Sequence, residues 1–466
     1  MQSITELLGN AVSVLDNKVT VQDENALKSD RMDRLVRAAV FGSSDEKEFA
    51  RWLLWEIGQV VGVRPASIHD LYMARGRGEI RGFTVPAINV RGQSYDTGRS
   101  IFRTANRMKA GAFILEIARS EIGYTEQRPA EYVSVMIAAA LREGYRGPLF
   151  IQGDHFQVNA KKWKVDPATE VNAVKQLVAE AVAAGFYNID IDTSTLVDLS
   201  QKTLAEQQRP NYEVGIDILK AVRAAEPKGV TISAGGEIGE VGTENSTEPE
   251  LRAFMDGFNA ALPKGIAGLS KISVQSGTSH GGVVLADGKI ADVKLDLDTL
   301  ERLSTVAREE YGLAGAVQHG ASTLPDTAFN NFPKRETCEI HLATNFQTML
   351  YDALPDSLRG EIYEWLRENA KDERKEKDTD EQFFYKTRKK ALGPFKKQIW
   401  EIPAAARDAL GKAYDRKFGF LFEQLAIGDT KKHVDKYVRP PEQHRKRPTA
   451  GQVTVAAAPD DTSLSD

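Results

Sequence analysis

Between residues 83 and 344 the sequence repeats one pattern eight times, a short apolar run followed by a longer amphipathic stretch. Short apolar runs bounded by turn residues are typical of buried strands, and apolar residues at helical spacing predict helices between them. The predicted strands span residues 83–90, 112–118, 148–155, 187–194, 230–238, 271–277, 315–322 and 338–344. This alternation favours an α/β fold, the (β/α)8 TIM barrel. A doubly wound open sheet would produce a similar pattern and is the alternative.

The segments that flank the repeat predict extensions of the barrel. Residues 1–66 are helical in pattern, which predicts an N-terminal extension before a barrel over 67–355. Residues 356–440 are charged and also helical in pattern, and we expect a helical C-terminal extension there. Residues 441–466 are rich in proline, basic and small residues, and this tail is predicted to be disordered.

Composition narrows the class of protein. The net charge of -5 and the pI near 6.0 give no general indication of nucleic-acid binding. The single cysteine, Cys338, excludes an internal disulfide and favours a reducing compartment. The chain starts without the basic and apolar segments of a signal peptide, and no apolar run approaches the ~20 residues of a membrane span. We therefore expect a cytoplasmic protein that binds neither membranes nor nucleic acids.

Three of the seven histidines stand at the ends of predicted strands three, six and seven, beside a glycine or an aspartate. They are His155, His280 and His319, and in a barrel all three would face the same mouth. Three imidazoles are a recognised ligand set for catalytic zinc. Asp154, next to His155, offers a carboxylate for proton transfer. A single buried, hydrogen-bonded histidine would be the simpler interpretation of any one of these positions.

Glycines near the same strand ends predict anion binding. Gly281 and Gly320 follow two of the histidines and would let backbone N–H groups approach a phosphate, although tight turns use glycine for the same conformational freedom. The fifth strand runs into a glycine-rich loop that carries Glu237, Glu240 and Glu244. Such a loop is suited to a lid that brings a general base to the mouth.

Taken in order, these segments resemble the class II, metal-dependent fructose-bisphosphate aldolase family, which includes the tagatose-bisphosphate aldolases. The similarity runs from about residue 70 to about residue 350. The segments that carry it are Val85-Pro-Ala-Ile-Asn89-Val, Gln152-Gly-Asp154-His155, Ile189-Asp-Ile-Asp192-Thr-Ser194, Gly236-Glu237-Ile-Gly239, His280-Gly281, His319-Gly320-Ala-Ser322 and Cys338-Glu-Ile-His341-Leu-Ala-Thr344. Their shared order and spacing make the match specific.

The resemblance implies reversible aldol cleavage of a ketose (bis)phosphate, such as fructose 1,6-bisphosphate, to dihydroxyacetone phosphate and an aldehyde. It implies Zn2+, or another divalent metal, and it allows a monovalent cation. His155, His280 and His319 match the ligands of the catalytic metal, while Asp192 and Glu237 match positions that can hold a second or alternate metal. The metal would act as a Lewis acid on the substrate carbonyl.

Other roles carried over by the resemblance concern proton transfer and substrate binding. Asp154 would exchange the proton at the aldehyde or C4 hydroxyl oxygen. Glu244 is the best-aligned candidate for the base that removes the α-proton, with Glu240 and Glu248 as rivals. The positions that match substrate or phosphate contacts are Asn89, Gly281, Gly320, Ser322, His341 and Thr344.

Several features depart from the family pattern. His341 stands where the family has a substrate-binding asparagine, and Glu116-Ile-Ala-Arg119 replaces the usual serine-containing end of strand two. The extensions also have no counterpart in a single barrel of about 250 residues. They motivate an alternative, a non-catalytic aldolase-like subunit that supports a partner aldolase. The family further predicts a homodimer or a homotetramer.

Overall fold

Eight parallel strands close into a barrel in this computed structural model, which describes residues 6–239, 244–277, 285, 295–449 and 457–463. The strands are β1 (Val85–Asn89), β2 (Ile114–Ala118), β3 (Gly147–Gln157), β4 (Asn188–Asp192), β5 (Ser233–Glu237), β6 (Lys271–Val274), β7 (Ala316–Gln318) and β8 (Glu339–Leu342). Each strand pairs in parallel with the next, and β8 pairs with β1. The closed ring confirms the predicted (β/α)8 barrel and rules out the open sheet.

Helices connect the strands on the outside of the barrel. They span Ser94–Met108, Arg119–Tyr124, Pro129–Arg142, Ala160–Val165, Pro167–Ala184, Leu204–Ala225, Glu248–Ala261, Leu297–Glu309, Asn331–Lys334 and Thr344–Ala353. The boundaries of two of them are explained by capping residues. The Asp166 side chain caps the helix that starts at Pro167, and Thr247 forms a capping box with Glu250. Gly185 then ends the first of these helices in the left-handed conformation.

The N-terminal segment covers the amino end of the barrel. It contains a hairpin of Val12–Leu15 with Lys18–Val21, helices Glu24–Leu27, Asp30–Phe41, Ser44–Val61 and His69–Gly76, and a strand Val63–Ala66. The strand pairs with the first residues of β3, and the Ile68 N–H donates to the Asn188 side chain at the start of β4 (2.9 Å). The last of these helices therefore lies across the end of the barrel opposite the predicted site.

The C-terminal segment returns along the outside of the molecule. Its helices are Asp356–Asn369, Asp380–Thr387, Lys396–Trp400, Ala404–Gln424 and Lys431–Tyr437. Beyond them, the indole N–H groups of Trp52 and Trp55 donate to the carbonyls of Arg445 (2.9 Å) and Gln443 (2.5 Å). Within the described residues, no helix combines the length and the apolar character needed to cross a membrane.

Candidate metal and active site

A bulge at the end of β3 presents the two central residues of the predicted site. The pairing of β3 with β4 shifts register between Gly153 and Phe156, and His155 has a φ of 39°, in the left-handed region. A bulge of this kind redirects side chains and is common beside active sites. Because a non-glycine residue rarely adopts such a φ, the surrounding contacts must hold His155 in place.

His155 faces two carboxylates from neighbouring strands. Its Nδ1 lies 3.1 Å from Asp192 Oδ2 and 3.8 Å from Glu237 Oε2, at the ends of β4 and β5. All three side chains are buried, and one ligand atom of each lies within 4.8 Å of the others. An imidazole with two carboxylates is a donor set that suits Zn2+ and other divalent transition metals. These residues therefore fit a divalent metal.

The carboxylates around His155 favour a positive charge at this position. Burial lowers the pKa of His155, but the carboxylates of Asp154, Asp192 and Glu237 outweigh burial and hold that pKa well above its usual value. Burial and the nearby Asp192 raise the pKa of Glu237 well above normal. Metal binding would replace the proton on His155, so it would release protons.

A second group of side chains lies directly beside the first. The ring centre of His319, just past β7, lies 4.3 Å from that of His155 and 4.0 Å from that of His341 on β8. His319 also contacts Ser273 Oγ through Nε2 (3.0 Å). Ligand atoms of Asp154, His319 and His341 again lie within 4.8 Å of one another. The structure thus brings together Asp154 and two of the three predicted histidine ligands, while His280 lies outside the described residues.

His341 has carboxylates on both sides of its ring. Nδ1 lies 3.1 Å from Asp154 Oδ1 and 3.2 Å from Glu116 Oε2, and Nε2 lies 2.8 Å from Glu339 Oε1. Burial lowers the pKa of His341, but Glu116 and Asp154 raise it well above its usual value. The ring therefore lies between carboxylates, which favour its protonated form.

Below the mouth, a fully buried lysine neutralises the barrel interior. Lys271 Nζ, at the first residue of β6, lies 2.5 Å from Glu339 Oε1, 2.9 Å from Asp190 Oδ2 and 2.8 Å from Gln152 Oε1. Although burial lowers the pKa of Lys271, Asp190 and Glu339 raise it above its usual value. Tyr72, from the helix that covers the amino end, donates a hydrogen bond to Glu339. The charged lysine therefore balances the negative charge of these carboxylates.

The pKa values of the interior carboxyls differ according to their neighbours. Burial and Asp154 raise the pKa of Glu116 to about 7, and burial raises that of Asp190 to about 6 despite Lys271. Burial also opposes ionisation of Glu339, but Lys271 and His341 lower its pKa to about 2. Glu339 therefore ionises most readily of the three, whereas Glu116 and Asp190 have pKa values closer to neutral pH.

The remaining predicted residues lie around the mouth. Asn89, at the end of β1, donates to Glu121 (2.7 Å), and Gly320 has the left-handed φ of 67° just before a short turn. Ser322 accepts a hydrogen bond from the Ala343 N–H, next to Thr344, which begins a helix. Ser322, after β7, thus contacts the residue that directly precedes Thr344 after β8.

The predicted catalytic bases are less well placed. Glu244 is exposed, and Glu248 forms ion pairs with Arg252 (3.3 Å) and Arg302 (3.5 Å) on the outer helices. Glu240 and Gly281 lie outside the described residues. The structure therefore leaves the assignment of the base as a prediction.

Sequence reasoning missed the interior network of Lys271, Asp190, Glu339 and Tyr72. The first three occur in predicted strands among apolar neighbours, where a charged side chain must have a partner or stay neutral. That signal could have marked each residue as buried and paired. It could not have identified the partners, because they come from strands far apart in sequence.

Comparisons with known proteins identify the family and the fold of the chain. The family model described as fructose-bisphosphate aldolase class-II matches residues 77–412, more than half of the chain. No curated protein sequence matches the chain. A Sinorhizobium meliloti structure described as a tagatose 6-phosphate kinase is 17% identical, covers 76% of this chain and 99% of its own, and has a TM-score of 0.51. At that identity the likeness concerns the fold alone.

Two further solved structures align over most of the chain. A fructose-bisphosphate aldolase of Campylobacter jejuni is 15% identical over 80% of this chain and 99% of its own, with a TM-score of 0.48. The fructuronate-tagaturonate epimerase of Cohnella laeviribosi is 12% identical over 93% of this chain and 90% of its own, also with a TM-score of 0.48. The match to the family model is the finding that decides membership. The chain belongs to the class II fructose-bisphosphate aldolase family, whose members are aldolase-type lyases.

Proposed function

We propose that this protein is a zinc-dependent aldolase that reversibly cleaves a ketose (bis)phosphate, such as fructose 1,6-bisphosphate, to dihydroxyacetone phosphate and an aldehyde. The observation that carries this proposal is the pair Asp154 and His155, which a bulge brings among buried carboxylates and the His319 ring. It supplies a candidate metal ligand and a candidate proton carrier at adjacent positions, as metal-assisted aldol cleavage requires.

His155, His280 and His319 would hold the metal, with Asp192 and Glu237 as its further or alternate ligands. The bound metal would supply Lewis-acid polarisation of the substrate carbonyl. The buried imidazole and carboxylate donors of the described ligands support a divalent cation over a monovalent one at this position.

The chain's own residues would move the protons and bind the phosphate. Asp154, buried and close to His341, would exchange the proton at the aldehyde or C4 hydroxyl oxygen. Glu244 would remove the α-proton after its loop closes over the mouth, since its side chain is exposed here. Gly320, Ser322 and Thr344 would hold a phosphate group, together with Gly281.

The buried lysine argues against an imine mechanism. An amine attacks a carbonyl only when it is neutral. Lys271 is fully buried, contacts two carboxylates, and has a pKa above its usual value, so it stays charged. Borohydride added during turnover should therefore trap no covalent adduct on Lys271.

His341 would orient Asp154 rather than contact the substrate, because both of its nitrogens face carboxylates. An asparagine side chain has a single amide group and cannot contact Asp154 and Glu339 at the same time. For His341→Asn we expect kcat to fall about tenfold to 100-fold, since small displacements of reacting groups cost this much. KM should stay within about threefold of its original value. If His341 instead contacts the substrate as the family asparagine does, His341→Asn should keep nearly the full kcat.

The experiment that tests the proposed function is a substrate panel with chelated and Zn2+-reconstituted protein. Fructose, tagatose and sedoheptulose bisphosphates and their monophosphates are supplied, and release of the ketone fragment (dihydroxyacetone or its phosphate) and of the aldehyde is measured. The proposal expects cleavage of at least one ketose phosphate by the reconstituted protein only. Stoichiometric zinc binding without cleavage of any of them, together with co-purification of an active aldolase, would instead identify the chain as a supporting subunit.

A further inference from the structure

The C-terminal residues 457–463, here called the C-terminal clasp, contact the rim of the barrel next to the site. The Ala458 N–H donates to Glu180 Oε2 (2.8 Å), and Asp460 forms an ion pair with Arg128. Asp461, within this clasp, is only 2% exposed. A side-chain carboxylate this deeply buried must have specific partners.

Asp461 finds those partners just beyond the ends of β2 and β3. Its Oδ2 lies 3.0 Å from Lys162 Nζ, accepts a hydrogen bond from Asn159 Nδ2 (3.2 Å) and lies 3.8 Å from Arg119 Nη2. Arg119 directly follows β2 and is itself 3% exposed. One carboxylate from the C-terminal clasp thus joins the end of β2 to the loop that follows β3.

From Arg119, a short chain of contacts leads to the candidate metal ligands. Arg119 Nη1 donates to the Gln157 carbonyl (2.6 Å), at the last residue of β3. The Gln157 side chain donates to Asp192 Oδ2 (2.6 Å), which lies 3.1 Å from His155 Nδ1. Each link involves buried or half-buried groups, so the contacts are well shielded from solvent.

The residue at the end of this chain of contacts needs such support. His155 has a left-handed φ in a bulge, and a conformation of this kind persists only where the surroundings enforce it. The contacts of Asp461 fix the loop that begins four residues later, at Asn159. Loss of those contacts would free the loop and let the bulge relax.

We propose that the C-terminal clasp holds the β3 bulge in the geometry that presents Asp154 and His155, with Asp461 as a positioning residue. The claim rests on the proposed function only in taking His155 as a metal ligand. Groups that orient ligands from outside the coordination sphere commonly change metal affinity by about 10- to 100-fold. Asp461 acts through three intervening residues, Arg119, Gln157 and Asp192, so we expect an effect near the lower end of that range.

The test compares full-length Asp461→Ala with Asp460→Ala, which removes the neighbouring carboxylate but leaves the contacts at Arg119, Asn159 and Lys162. Zn2+ affinity is measured by competition with a chromophoric chelator, and amide hydrogen exchange is followed in the metal-free protein. We expect Asp461→Ala to weaken Zn2+ binding about tenfold and to speed exchange within residues 154–162. Asp460→Ala should stay within about twofold of the original protein.

The two measurements separate this proposal from the proposed function. If the original protein binds no zinc, the metal-dependent function fails, and exchange in the metal-free protein still decides the role of the C-terminal clasp. Faster exchange confined to residues 154–162 supports the positioning role. Exchange in that segment unchanged by Asp461→Ala, or accelerated equally across the whole barrel, overturns it.

Discussion

Replacement of Asp154 by asparagine is expected to lower the rate of aldol cleavage by about 10²- to 10⁴-fold, the usual contribution of a positioned proton carrier. Asparagine keeps the size of the side chain and cannot exchange a proton at the substrate oxygen. Zn2+ content should be unchanged, because the closest carboxylates to His155 Nδ1 come from Asp192 and Glu237. The measurements are kcat with saturating substrate and metal content by elemental analysis.

A matched control is Asp217→Asn, on an outer helix where the carboxylate pairs with Lys175 (2.6 Å). That variant should keep its full rate. If Asp154→Asn turned over within tenfold of the original protein, Asp154 would not be the proton carrier. If it lost its zinc, Asp154 would belong to the ligand set instead.

Replacement of Lys271 by methionine is expected to lower the free energy of unfolding by about 3–5 kcal/mol, the usual cost of removing one partner from a buried ion pair. Methionine has a similar length but leaves Asp190 and Glu339 without their shared cation. Urea unfolding followed by circular dichroism measures the change. Lys175→Met, which breaks a partly exposed pair, should cost less than about 1 kcal/mol.

The deficit in unfolding free energy of Lys271→Met should depend on pH, because two buried carboxyl groups lose their lysine partner. Without Lys271, the folded pKa values of Asp190 and Glu339 rise relative to the unfolded chain, because the largest interaction that opposes burial is then lost. When a carboxyl group has a higher pKa in the folded protein than in the unfolded chain, the folded protein loses stability as the pH rises above the unfolded-chain pKa. The deficit should therefore be larger at pH 8 than at pH 5. Equal deficits at the two pH values would contradict a buried-charge origin.

The barrel could be predicted from the sequence because its signals are local. Each strand of the barrel lies inside a predicted apolar run or extends at most two residues beyond it. Capping residues such as Asp166 mark the starts of helices. The hairpin of Val12–Leu15 and Lys18–Val21 was not predicted, since two four-residue strands carry little periodicity. The burial of Asp461 was also out of reach, because its partners lie about 300 residues away.

The proximity of His155 and His319 could be predicted from the sequence, whereas the charges around them could not. Strand-end position identified His155 and His319 as neighbours, and their rings lie 4.3 Å apart. The role of His341 needed the structure, because only the folded barrel places Glu116 and Glu339 on either side of its ring. Lys271 likewise stands in an apolar run, and its sequence neighbours give no indication of Asp190.

The measurement that tests the central claim most directly is the rate of ketose phosphate cleavage as Zn2+ is returned to exhaustively chelated protein. The substrate is the one cleaved fastest in the panel. The account predicts negligible cleavage without metal, a linear rise up to one Zn2+ per chain, and a plateau beyond it. Full activity in the chelated, metal-free protein would contradict it.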